Sequence, residues 1–161
     1  MQNGSVASVK FSHTDHQTDD LASMTILLVE DDAINQLVVK RLLERRGHAV
    51  TVAENGLDAL ALLGHTAFDC VLMDVEMPVL GGLETLARLR DATVYGPAAA
   101  TPVVALTAHT APGFREGLLR RGFNDFVAKP LDMAELEAVL YRVAVGAASG
   151  ASAHAPAHRG R

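Results

Sequence analysis

Five polar side chains stand where apolar runs of this chain stop. Glu30 and Asp31 follow Ile26-Leu27-Leu28-Val29, and Asp74 follows Cys70-Val71-Leu72-Met73. Thr107 closes Val103-Val104-Ala105-Leu106, and Lys129 closes Phe126-Val127-Ala128. A carboxylate at the exposed end of a buried strand adds little to stability and is well placed for chemistry. Gathered bare, Glu30, Asp31 and Asp74 would repel one another and raise each other's pKa. Lys129 offers one positive charge. A hard cation such as Mg2+ is the natural second, because it takes oxygen ligands and is commonly held by one or two carboxylates together with phosphate oxygens. Asp74 is then the candidate nucleophile, since a carboxylate can attack phosphorus to give an aspartyl phosphate. That reaction asks mainly for positioning and for neutralised charge on the phosphoryl oxygens. Asp31 and Asp74 offer a metal seat, Lys129 an ammonium and Thr107 a hydroxyl donor. No P-loop and no kinase-type Gly-rich loop is present, so the phosphoryl group is expected from another protein or a small phosphodonor.

The elements that must bring these residues together are legible as an alternation. Apolar runs at Ile26–Val29, Ala49–Ala53, Cys70–Met73, Val103–Leu106 and Phe126–Ala128 read as strands. Between them lie helical segments. Ile34–Arg46 carries Ile34, Leu37, Val38, Arg41, Leu42 and Arg45 at helical spacing, with Asp32 as N-cap and Gly47 as stop. Gly56–Leu63 and Leu83–Leu89 are shorter; Pro112–Arg121 stops at Gly122, and Asp132–Val143 starts on an Asp cap. Strand–helix alternation of this kind implies an α/β domain, a doubly wound five-stranded parallel sheet covered on both faces. Sites in such sheets form outside the carboxyl ends of the strands. A strand order with the first strand between the second and third would gather all the named positions at one edge.

The chain has 161 residues, a length that favours one domain. Its hydrophobic content of 49% is too high for a disordered protein, and its net charge of −5 argues against a general nucleic-acid surface. No apolar run is long enough to cross a bilayer, and the first 20 residues lack the apolar stretch of a signal peptide. The single cysteine, Cys70, excludes an internal disulfide and fits a reducing, cytoplasmic compartment. Residues 1–23 read as a flexible linker or an expression remnant, 24–146 as the domain, and 147–161 as a flexible, Ala-rich tail. His13/His16 and His154/His158 have the spacing of helical metal pairs but lie where no helix is signalled. Arg115, Arg120 and Arg121 read as a solvated helix face, with a partner surface as the alternative.

Four stretches in order, Ile26-Leu-Leu-Val-Glu-Asp-Asp32, Val71-Leu-Met-Asp-Val-Glu-Met-Pro78, Val104-Ala-Leu-Thr-Ala108 and Phe126-Val-Ala-Lys-Pro130, carry a resemblance. The chain resembles the receiver domain of two-component response regulators, with the flavodoxin-like (βα)5 fold of CheY-like proteins, from about Met24 to Val145. Asn35-Gln36, Ala53-Glu-Asn-Gly56 and Asp74-Val-Glu-Met-Pro78 look most like receivers of hybrid sensor histidine kinases. The resemblance implies Asp74 as phosphoacceptor and Mg2+ as cofactor. Asp31 and Asp74 would bind the ion directly, with the backbone carbonyl of Glu76 as a further ligand and Glu30 acting through water. It also implies Thr107 as the switch hydroxyl, Lys129 as its phosphoryl-pairing lysine, a cis bond at Lys129–Pro130, and Phe126 as the aromatic switch. Glu76 and His109 fall at the variable positions that tune phosphate loss in the family. Gly81-Gly82 replaces the Asp-Gly often seen there, which removes a helix cap.

The implied function is a phosphorelay receiver. It would take a phosphoryl group from the phosphohistidine of a histidine kinase or histidine phosphotransfer domain, without being an enzyme beyond its own phosphorylation and dephosphorylation. It is expected as part of a hybrid kinase or, alternatively, as a stand-alone regulator. A homodimer through the helix at 112–121, the strand at 126–128 and the helix at 132–143 is a further expectation. Only 16 residues follow Val145, so no nucleic-acid-binding output is expected in this chain. An aspartate-nucleophile phosphohydrolase is the rival of another class. It would want an acidic pair after the lysine, where only Asp132 and Glu135 stand.

Overall fold

The structure is a computed structural model and describes residues 22–151. Most of the expected linker and tail, and the four tail histidines, lie outside the described residues. Five strands, β1 (Thr25–Val29), β2 (Ala49–Ala53), β3 (Cys70–Asp74), β4 (Val103–Thr107) and β5 (Asp125–Ala128), form one parallel sheet in the order β2-β1-β3-β4-β5. The first strand does lie between the second and third. Between the strands run α1 (Ala33–Glu44), α2 (Gly56–Leu63), α3 (Gly82–Leu89), a short α4 (Ala92–Tyr95) with a 3-10 turn at Gly96–Ala100, and α5 (Phe114–Arg120); α6 (Met133–Ala151) follows β5. The doubly wound α/β class read from the sequence is the observed one.

The strands read as continuous apolar runs because both sheet faces are covered. Every residue of β3 and β4 is buried. Leu27, Val29, Val71, Met73 and Ala105 face one core, shared with Leu60 of α2, Leu86 and Leu89 of α3, and Leu118 of α5. Ile26, Leu28, Leu72, Leu106 and Val127 face the other, filled by Val39 and Leu43 of α1 and Leu136, Val139 and Leu140 of α6. Successive strand residues thus alternate between two cores, and the strand ends are left for polar groups.

Helix starts follow the expected chemistry. The Asp32, Asn55 and Asp132 side chains accept from the backbone N–H three residues on, at 2.8, 3.0 and 2.9 Å. Gly47 and Gly122, the expected stops after α1 and α5, take φ of +90° and +105°, which a β-carbon disfavours.

Four features differ from the sequence reading. The helix expected from Pro112 begins at Phe114. α4 and its 3-10 turn were not foreseen, because four residues are too few to show a hydrophobic period. α6 runs past Val143 to Ala151, through the first residues of the expected flexible tail; alanine's high helix propensity supports that extension. Finally, the helical stripe of α1 faces outward: Ile34, Leu37 and Val38 are exposed, and the helix buries Val39 and Leu43 instead.

Candidate functional site

Parallel register places the polar strand ends side by side. Val29 of β1 pairs with Met73 of β3, Asp74 with Leu106 of β4, and Thr107 with Ala128 of β5. Glu30, Asp74, Thr107 and Lys129 therefore line one rim, each at or one residue past its strand end. Glu30, Asp74 and Thr107 are buried, while Asp31 and Asp32 are exposed.

Lys129 ties the rim together. Its Nζ donates to Asp74 Oδ2 at 2.7 Å and to Glu30 Oε2 at 3.1 Å. Burial works against the ammonium, but the hydrogen bonds and negative charges of Asp74 and Glu30 outweigh it and hold the Lys129 pKa above the ordinary lysine value. The Lys129 N–H donates to Thr107 O at 2.8 Å, and the Lys129–Pro130 bond is cis, as the resemblance implied. Asp74 Oδ1 accepts from the Glu76 N–H at 3.1 Å. Glu30 Oε1 accepts from the Asp32 N–H at 3.1 Å, and Glu30 O accepts from Gln36 Nε2 at 2.7 Å. Asp74 thus sits fixed at the centre of the rim.

Carboxylate oxygens of Glu30, Asp31 and Asp74 lie within 4.8 Å of one another. Three carboxylates against one ammonium leave surplus negative charge and all-oxygen ligands, which is the donor set of a hard divalent cation. The residues present fit Mg2+. The Glu76 side chain plays no part in this cluster: it is exposed and turned to His109, with Oε1 2.9 Å from Nδ1.

Thr107 Oγ1 accepts from the His109 N–H at 3.0 Å, so the hydroxyl is engaged with its own loop. The His109 ring stacks on Phe114 with centroids 4.9 Å apart. Phe126 is partly buried against the first core, and the Arg115 guanidinium lies over its ring at 4.7 Å. The reading of Arg115 as part of a solvated face is corrected here: the residue is half-buried, and the other two arginines, Arg120 and Arg121, are exposed.

The close approach of Gly82 to the site is what the sequence reading of the Gly81-Gly82 pair missed. A β-carbon there would stand 2.4 Å from Asp74 O and 2.9 Å from Val75 Cα, so α3 starts directly against the backbone of Asp74. Gly81, the N-cap of α3, makes no side-chain cap, in keeping with the expected loss. A single glycine in one sequence carries no signal of such an approach. Beside the rim, a cleft of about 560 Å³ between α1 and the segment after β5 is lined by Val38, Leu42, Pro130, Leu131 and Met133, and reaches Glu30 and Lys129.

The response regulator receiver domain model matches residues 26–141, and the chain belongs to that family. It is 39% identical over 123 residues to sensor histidine kinase AruS of Pseudomonas aeruginosa, spanning 76% of this chain and 12% of that protein. It is 40% identical over 117 residues to a 14.6 kDa protein of Leptolyngbya boryana, spanning 72% of this chain and 86% of that one. Among solved structures it resembles the receiver domain of a Pseudomonas aeruginosa sensor histidine kinase, determined with magnesium coordinated in the active-site cleft. The identity is 36% and the TM-score 0.68, covering 76% of this chain and 98% of that one. A second likeness is the Saccharomyces cerevisiae receiver domain of Ssk1, co-crystallised with the histidine phosphotransfer protein Ypd1. It has 28% identity and a TM-score of 0.64, covering 71% of this chain and 84% of that one. The chain is a receiver domain of the two-component phosphorelay class, with the CheY-like fold.

Proposed function

We propose that Asp74 accepts a phosphoryl group from a protein phosphohistidine. A carboxylate oxygen of Asp74 attacks phosphorus through a remaining lone pair, the N–P bond breaks, and the electron pair leaves with the imidazole nitrogen. Asp31, Asp74 and the Glu76 carbonyl would hold Mg2+, with Glu30 acting through water, and the bound ion would supply positive charge beside the phosphoryl oxygens. Lys129, already on Asp74 at 2.7 Å, keeps its ammonium beside the acceptor and can follow the phosphoryl oxygens. Thr107 exchanges its loop contact for a hydrogen bond to the new group, and Phe126 shifts in consequence. This is a two-state change that the added charge biases.

The observation that carries the reading is the Lys129 bridge between two buried carboxylates with a third, Asp31, left over. Intact mass after incubation with acetyl phosphate and Mg2+ tests it. One added phosphoryl group is expected, and none on Asp74→Asn with its fold retained. Uptake by that variant would sink the assignment.

The donor's surface is expected to cover the outward stripe of α1, Ile34, Leu37 and Val38, next to the rim. The histidine kinase relative supports placement in a hybrid kinase, as part of a longer protein. The 14.6 kDa relative, mostly spanned by this chain, favours the second reading, a stand-alone receiver. Family membership leaves the phosphohydrolase rival without support, and the isolated domain is read as no enzyme beyond its own phosphoryl turnover. A homodimer would use the α5–β5–α6 face, where Leu119 and Tyr141 are exposed. The single buried thiol, Cys70, fits a cytoplasmic setting.

A further inference from the structure

We propose that Arg115 is a positioning residue for the phosphoacceptor site: lying over the Phe126 ring, it holds that ring in place and so sets the resting balance of the switch. The inference rests on the reading of Phe126 as the ring that moves. It begins with how weakly α5 is held. The helix has seven residues, starts at Gly113 with φ +82° and no side-chain cap, and fully buries only Leu118. A helix so short has little stability of its own and depends on tertiary contacts.

Its first turn is gripped twice, by rings that belong to the site. Phe114 stacks on His109, two residues after Thr107, and the His109 N–H is bound to the Thr107 hydroxyl. Arg115 lies over Phe126, three residues before Lys129 on β5. The turn therefore bridges the loop after Thr107 and the strand that ends at Lys129. Arg115 forms no ion pair among the described residues, so the face of the ring is the electrostatic partner its guanidinium has there. In this proposal a Phe126 ring that shifts toward Thr107 gives up its contact with that guanidinium.

A cation over an aromatic face at a partly exposed site weights a two-state equilibrium by about two- to fivefold. When the reactive conformation is a minor one, the apparent rate scales with its population. Removing Arg115 therefore raises the rate of phosphoryl uptake, and does so only while the ring is present.

The test follows Mg2+-dependent labelling by acetyl phosphate against time, on the full chain, for the parental protein, Arg115→Ala, Arg115→Lys, Phe126→Leu and the Arg115→Ala/Phe126→Leu double variant. Arg115→Ala is expected to label about two- to fivefold faster. Arg115→Lys should lie nearer the parental rate, and the alanine substitution should have no effect in the Phe126→Leu background. An unchanged or slower rate, or the same gain with and without the ring, overturns the proposal while parental labelling leaves the receiver reading standing. Failure of the parental chain to label takes down the receiver reading and this inference with it. The dependence on the ring is the readout that a merely structural arginine would not produce.

Discussion

The two ends of the sheet each hold a cation among several oxygens, and they do opposite things with it. At the amino end, Arg90 donates from Nη1 to Ala99 O and Thr101 O at 2.8 and 2.7 Å, and from Nη2 to Gly122 O and Asn124 Oδ1 at 3.0 Å each. Asn124 Oδ1 also takes the Val103 N–H at 2.9 Å. At the same end of the sheet, before β1 and β2, His48 Nδ1 accepts the Met24 N–H at 3.2 Å, and Asp69 Oδ2 accepts the Thr25 N–H at 2.7 Å. Every partner of Arg90 is neutral, so the guanidinium serves backbone carbonyls and one amide oxygen rather than pairing with a charge. At the carboxyl end the partners of Lys129 are carboxylates, with Asp31 in excess. The amino end is closed, and the carboxyl end is short of positive charge. Among the described residues, the three-carboxylate cluster lies at the carboxyl end.

The sharpest break of this comparison exchanges the two losses. Lys129→Met should slow labelling by about 100-fold or more, the cost of losing one aimed charge. Arg90→Met should leave labelling of the folded protein near the parental rate. It should instead lower stability by about 1–3 kcal/mol, because the partly buried carbonyls of Ala99 and Thr101 lose their donor. Labelling kinetics and urea denaturation of both variants read the two effects. Loss of labelling in folded Arg90→Met would end the distinction between the ends.

A smaller effect tests the amino end through pH. Burial, and then the charge of Arg46, hold the His48 pKa below its usual value. Below about pH 6.5 the unfolded chain takes up a proton at this histidine that the folded chain refuses. Stability should therefore fall as pH drops from about 6.5 toward the folded pKa, and His48→Gln should flatten that part of the curve. Urea midpoints at pH 7 and 5.5 would check it; equal slopes in both proteins would remove His48 from the account.

The smallest effect concerns the carboxyl end. Gly81→Asp restores a cap to α3 and should add a few tenths of a kcal/mol. A β-carbon there meets nothing closer than Val75 O at 3.6 Å, so space is available. Gly82→Ala offers the contrast, since it must push the Asp74 backbone. Midpoints of thermal unfolding for the pair would separate a missing cap from a necessary approach.

Sequence alone carried the strands, the α/β alternation, the caps at Asp32 and Asp132, and the polar groups that end β1, β3, β4 and β5. These are local signals. A run of apolar residues stopped by a charge, or an Asp three residues before an N–H, is complete within a few positions. Motif order then placed Asp74 among its partners before any distance was known.

Tertiary structure decided what depends on distant neighbours. Hydrophobic period marks α1 as a helix, but Ile34, Leu37 and Val38 point outward because Val39 and Leu43 fill the space beside the sheet. Arg90 finds acceptors 9 to 34 residues away. His48 is a backbone acceptor, and Gly82 lies against Asp74, only because strand order and helix packing bring them there. Arg115 meets Phe126 for the same reason. The physical ground is one of range: backbone propensity and burial pattern act along the chain, while charge balance and close approach act across it.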